Sequence, residues 1–204
     1  LAFAWQVHAE HPLILIGNRD EFYARPATPI RFWPDAPYLL AGRDEKEGGT
    51  WLGVTRSGRW ATLTNYREPN APVGKLSRGH LVAGFLQGDD EPLAYLEKIA
   101  QQADDYSGFN LLVGTRQQAA VFSNRGTPPQ LLAAGLYGLS NHLLDSPWPK
   151  TQRLKAGLTE LLAQEAIDTA QALALLQDQS QPVDEELPDT GVGLVWERLL
   201  ATAF

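Results

Sequence analysis

Short apolar runs broken by turn residues dominate the first two thirds of the chain. Residues 2–8 (AFAWQVH) and 13–17 (LILIG) flank the polar AEHP; that spacing and turn chemistry predict an antiparallel hairpin. Four prolines follow, Pro26, Pro29, Pro34 and Pro37, and that stretch reads as irregular. TWLGVTRSGRWATLTNY then holds two alternating runs around Ser57-Gly58, a dipeptide suited to a tight turn because glycine accepts positive φ. GFNLLVG and AAVFS bracket TRQQ as a further hairpin, followed by the shorter runs QLLAAG and YGLS.

The period changes in the intervening and later segments. Residues 79–87 and 91–103 carry apolar side chains at helical spacing, among them Leu93, Leu96 and Ala100, with Pro92 where a first turn tolerates it. DSPWPKTQRLKAGLTELLAQE predicts a helix with Asp145 or Ser146 as cap and Leu154, Leu158, Leu161 and Leu162 on one face. Asp168 is the expected cap of a last run containing Leu173 and Leu176. With no internal repeat, low-complexity tract or linker, residues 1–204 read as a single domain, α+β with mostly antiparallel sheet.

Composition narrows the function classes. A chain of 204 residues with 44% hydrophobic content can bury a sizeable core. The formal net charge of −7 supplies no basic field for nucleic acid or an anionic membrane surface. No apolar run approaches the roughly 20 residues of a membrane span, and the first residues lack the flanks of a signal peptide, so a soluble, cytoplasmic protein is expected. The absence of cysteine excludes disulfides and thiolate metal sites within this sequence. The absence of methionine, with which a translated chain begins, leads us to expect that Leu1 is not the biological start.

Three polar clusters are candidates for chemistry. Asn18-Arg19-Asp20-Glu21 follows a predicted strand; such a cluster either turns into water or delivers side chains to a site, and adjacent residues on an extended chain point to opposite faces. Asn65 closes the strand in LTNYRE, and Asn141 closes the run in GLSNHLLDSPWP. Each Asn is either a turn former or an amide donor, a group that stabilises developing negative charge without titrating. AGRDEKEGGTW reads as a solvated turn, since it lacks the lysine and spacing of a phosphate loop. His8, His11, His80 and His142 show no metal-ligand spacing, and no Gly-x-Ser-x-Gly elbow is present. Trp51 and Trp148 stand beside the polar motifs.

NRDEFYARPATP, LAGRDEKEGGTWLGVTRSGRWATLTNYR, SRGHLV and GLSNHLLDSPWPK, with LPDTGVGLVWER toward the end, resemble the NRDE family, also called the Transport and Golgi Organisation protein 2 family. The resemblance runs from Leu1 to about Glu197. It implies a four-layer αββα sandwich of mostly antiparallel sheets, similar to the N-terminal nucleophile hydrolases. It also implies a Met-Cys ahead of the LAFAW run and a segment beyond residue 204. Such a Cys would use its own α-amine, with an ordinary pKa of about 8, as base. Likeness to bile-salt hydrolases and penicillin V acylases implies that Arg19 and Asp20 stand near the nucleophile. Asp20 would accept a hydrogen bond from the α-amine, and Arg19 would lower the thiol pKa. Asn65 and Asn141 would orient substrate and bind the oxyanion, with Asn18, Glu21, Trp51 and Tyr66 as substrate-binding candidates. The implied activity is hydrolysis of an amide or thioester bond in a small molecule, without cofactor or metal. The alternative is a non-catalytic binding or trafficking protein for haem or an acyl-lipid such as acyl-CoA, with the aromatic-rich stretch from Phe22 to Trp51 lining its pocket.

Overall fold

The computed structural model describes residues 1–22 and 24–203. Two compact units emerge: Leu1–Asp20, Arg67–Asn70 and Ala134–Phe204 in the first, Glu21–Tyr66 and Ala71–Ala133 in the second.

The first unit is built on the predicted hairpin. β1 (Ala2–Trp5) and β2 (Leu13–Ile16) pair antiparallel from Ala2↔Ile16 to Trp5↔Leu13. A late strand, β10 (Gly135–Gly138), pairs with the other edge of β1. Central in this three-stranded sheet, β1 is buried at every position. The helix α3 (Pro149–Leu162) packs on β1 and β10, and α4 (Thr169–Leu175) packs on α3. Ala2, Ala4, Ile16, Leu154, Leu158, Leu161, Ala172 and Leu176 form this core, each large side chain contributing about 1.5–3 kcal/mol by leaving water. Asp168 caps α4 as expected, accepting from the Ala170 N–H at 2.8 Å. A six-residue helix, α5 (Leu194–Leu199), follows.

The start of α3 corrects the expected cap. Neither Asp145 nor Ser146 occupies it; Trp148, in extended conformation, precedes Pro149 at the first helical position. Each proline disfavours helical geometry in the residue before it, so Pro147 and Pro149 stop the helix from reaching back to Asp145 or Ser146. Asp145 instead takes φ 57° and accepts bonds from the Gly138 N–H and Lys155 Nζ.

The second unit is a seven-stranded antiparallel meander: β3 (Ala27–Trp33), β4 (Ala36–Asp44), β5 (Leu52–Thr55), β6 (Trp60–Asn65), β7 (Phe109–Gly114), β8 (Ala119–Ser123) and β9 (Thr127–Leu131). The hairpin around Ser57-Gly58 is present, with Gly58 at φ 89°. α1 (Gly79–Gln87) lies over β4 to β7 and α2 (Pro92–Ala100) over β8 and β9, around a core that includes Leu39, Phe85, Leu96 and Phe109. The stretch expected to be irregular is the β3–β4 hairpin. Pro29 is tolerated because β3 is an edge strand, Pro34 sits between the strands, and the register shifts between Phe32 and Trp33, near Pro37. Pro128 and Pro129 mark β9, the opposite edge, in the same way.

Both units bear out the expected α+β class with antiparallel sheets. Among the described residues, no helix is long and apolar enough to cross a membrane.

Candidate functional site

The first unit holds a small polar pocket at the start of β1. Leu1, Asn18, Asp20, Ser140, Lys150, Thr151, Leu154, Leu176 and Ala203 line about 40 Å³ of space, enough for a few water molecules or the reacting end of a substrate. The residues after β2, the residues after β10 and the first turn of α3 all converge here. The Leu1 nitrogen donates to the Leu139 carbonyl at 2.9 Å. A carboxylate, Asp20, and an ammonium, Lys150, thus line the space beside the start of β1.

Lys150 Nζ donates to the Leu200 carbonyl at 2.8 Å. Burial lowers its pKa; Asp20 and Glu197 oppose that shift and Arg67 adds to it. Arg67 Nη1 donates to Glu197 Oε2 at 2.7 Å, with side-chain exposures of 9% and 5%. The Thr190 N–H and hydroxyl donate to the other oxygen of Glu197. The Arg67 guanidinium also stands over the Trp148 ring, 4.8 Å from its centroid. A smaller cavity lined by Arg67, Trp148, Lys150 and Glu197 adjoins this pair, so Lys150 borders both spaces.

Four predicted site residues belong to this unit. Asn18, Arg19 and Asp20 are all exposed, and Asn18 and Asp20 line the pocket whereas Arg19 is not among its lining residues. The Asn18 amide donates to the Leu176 and Ala203 carbonyls at 2.7 and 2.6 Å, so this side chain ties down the C-terminal segment. Asn141 is half-buried; its carbonyl accepts from the Arg67 N–H at 2.7 Å, and its side-chain oxygen accepts from Ser140 Oγ at 3.5 Å.

The other four belong to the second unit. Asn65 ends β6, exposed, in register with Phe109. Half-buried Tyr66 donates its N–H to Gly108, and the Trp51 carbonyl accepts from Leu63 N and Thr62 Oγ1. Glu21 accepts from the Phe22 N–H and lies 3.8 Å from Arg25. Arg25 donates twice to Asp44, whose other oxygen accepts from the Lys46 and Glu47 N–H groups, so AGRDEKEGGTW is a turn organised by one buried carboxylate. The aromatic stretch scatters: Trp33 is in the core, Phe32 lies under Arg56, and Phe22 is 84% exposed. Tyr23, within that stretch, lies outside the described residues.

Sequence reasoning missed Lys150, Arg67 and Glu197. One signal was available: a lysine in the first turn of a helix opposes the helix dipole, which favours anions there. Such a placement calls for another reason, and the pocket supplies it. Among the described residues, no group of three or more His, Cys, Asp or Glu side chains is placed to hold a metal ion.

Among solved structures, the N-acylethanolamine-hydrolyzing acid amidase ortholog of Caenorhabditis elegans superposes with a TM-score of 0.55 at 11% identity, over 89% of this chain and 86% of that one. At that identity the likeness shows the fold alone, which is that of the N-terminal nucleophile hydrolases. The Transport and Golgi organization protein 2 homolog of Homo sapiens is 40% identical over 195 residues, 88% of this chain and 69% of that protein. Transport and Golgi organization protein 2 of Drosophila melanogaster is 32% identical over 215 residues, 90% of this chain and 74% of that protein. The description Transport and Golgi organisation 2 matches over residues 1–204, and the chain belongs to that family.

Proposed function

We propose that this protein hydrolyses an amide or thioester bond of a small molecule, using as nucleophile a residue immediately ahead of Leu1. The observation that carries this reading is the pocket at the start of β1, which Asp20 and Lys150 line beside Leu1. The resemblance supplies a Cys for that position. Its α-amine takes the thiol proton, and sulfur attacks the substrate carbonyl to give a tetrahedral oxyanion. Collapse expels the amine or thiol with that proton, and water then cleaves the acyl-enzyme. Asp20 holds the protonated amine between steps, and Asn141 is the amide donor for the oxyanion in this unit.

The test uses the full-length protein. Intact-mass measurement is expected to show a processed N-terminal Cys that iodoacetamide labels selectively and that gains an acyl group from a panel of N-acyl amides and acyl thioesters. Asp20→Asn slows the labelling at least tenfold while the fold persists. A wild-type protein with no such residue, or one that neither labels nor acylates, overturns the proposal.

A further inference from the structure

The strongest unassigned feature is the half-buried lysine in the first turn of α3. Lys150 lines the pocket with Leu1 and Asp20, and among the described residues its ammonium makes one hydrogen bond, to the Leu200 carbonyl at 2.8 Å. An ammonium carries three donors, so this one is tethered at one point and keeps donors for other partners. Its position costs stability twice, once through burial of charge and once through the helix dipole. Packing does not explain it, because an apolar side chain of similar length would fill the same space without those penalties.

The charges around it make its role specific. Arg67 and Glu197 satisfy each other at 2.7 Å and cancel as a pair. The charged groups left lining the pocket beside Leu1 are Lys150 from α3 and Asp20 after β2. For an amine on the residue ahead of Leu1, Asp20 favours the protonated form and Lys150 disfavours it. Lys150 also favours an ionised thiol, by the same Coulomb attraction that makes thiolates of cysteines beside cations.

Resting on the reading that a nucleophile precedes Leu1, we infer that Lys150 is a positioning residue of the site: its tethered ammonium sets the ionisation of that nucleophile and of the amine that serves it. The assignment is distinct from the role expected of Arg19, which is not among the residues lining the pocket, whereas Lys150 is. No bond to Lys150 forms or breaks. Its charge keeps the amine free to accept a proton and the sulfur ready to give one up near neutral pH.

The experiment is the pH dependence of iodoacetamide labelling at the N-terminal Cys of the full-length protein. Lys150→Met is expected to move the midpoint up by about one pH unit or more, while the rate at the high-pH plateau stays within about twofold. Lys150→Arg, which keeps the charge, is expected to hold the wild-type midpoint. Lys150→Gln replaces the Met variant if thermal melts show that the latter does not fold. An unshifted midpoint in the uncharged variant overturns the inference and leaves the hydrolase proposal standing. An equal shift in Lys150→Arg assigns the effect to packing and overturns it as well. Absence of selective labelling in the wild type sinks both, so the two failures are told apart by which protein shows them.

Discussion

Arg67 and Glu197, 130 positions apart in the chain, form an ion pair at 2.7 Å that is almost sealed from water. Glu197 is the buried residue of α5, whose Leu194, Val195, Trp196 and Leu199 are all about half exposed or more. This helix is therefore held by polar contacts, from Arg67 and Thr190, more than by apolar burial. Removing one partner strands the other charge, which costs about 3–5 kcal/mol, whereas replacing both with apolar groups is often close to neutral. Glu197→Ala is expected to lower unfolding free energy by about 3 kcal/mol in urea melts, and the double variant Arg67→Met with Glu197→Leu to recover most of it. A loss below about 1 kcal/mol in the single variant contradicts this account.

Asn18 donates to two carbonyls far along the chain, Leu176 and Ala203. Asn18→Ala leaves both without that donor and is expected to cost about 1–2 kcal/mol. Amide hydrogen exchange at residues 200–203 should accelerate more than exchange in β1. Equal protection in both segments would assign Asn18 no fastening role.

Asp178 gives a pH dependence. Burial alone would raise its carboxyl, but bonds from Ser180 and Arg153, the latter at 2.7 Å, outweigh that and hold it at about 2, below the ordinary 3.8. A depressed acid contributes stability that is full above the unfolded pKa and lost as pH falls through the folded one. Wild type should therefore exceed Asp178→Asn by about 1–2 kcal/mol at pH 6, with the gap closing between pH 4 and pH 2. Urea melts at fixed salt across that window check the sign; a gap that widens in acid refutes it.

Gly138 brings β10 close to α3: a Cβ there would lie 2.2 Å from Thr151 Cγ2. Gly138→Ala is expected to destabilise by about 2 kcal/mol through overpacking. Thr151→Ser removes the offending methyl, so the double variant should regain at least about 1 kcal/mol relative to additivity. Strict additivity would show that the strand moves instead.

Local chemistry made much of the fold legible. The β1–β2 hairpin, the turn at Gly58, the β7–β8 pair and the bodies of α1, α2 and α3 follow from apolar period and turn residues. The prolines misled where their effect depends on context. Pro29 breaks a central strand yet costs an edge strand nothing, and edge position is set by pairing that a sequence does not display. Pro147 and Pro149 carried a local rule that fixes the start of α3 at Pro149, ahead of the more familiar Asp and Ser cap signals.

The site divides along the same line. The sequence by itself determined the α+β class, the strand ends that carry Asn18, Asp20, Asn65 and Asn141, and the family, because periodicity and turn chemistry act between near neighbours. Only the tertiary structure decided that β10 returns to pair with β1, that Lys150 and Asp20 meet at the start of that strand, and that Glu197 is buried against Arg67. Those relations join residues more than a hundred positions apart. A charge shows its role only when the fold removes water from it and sets a partner beside it.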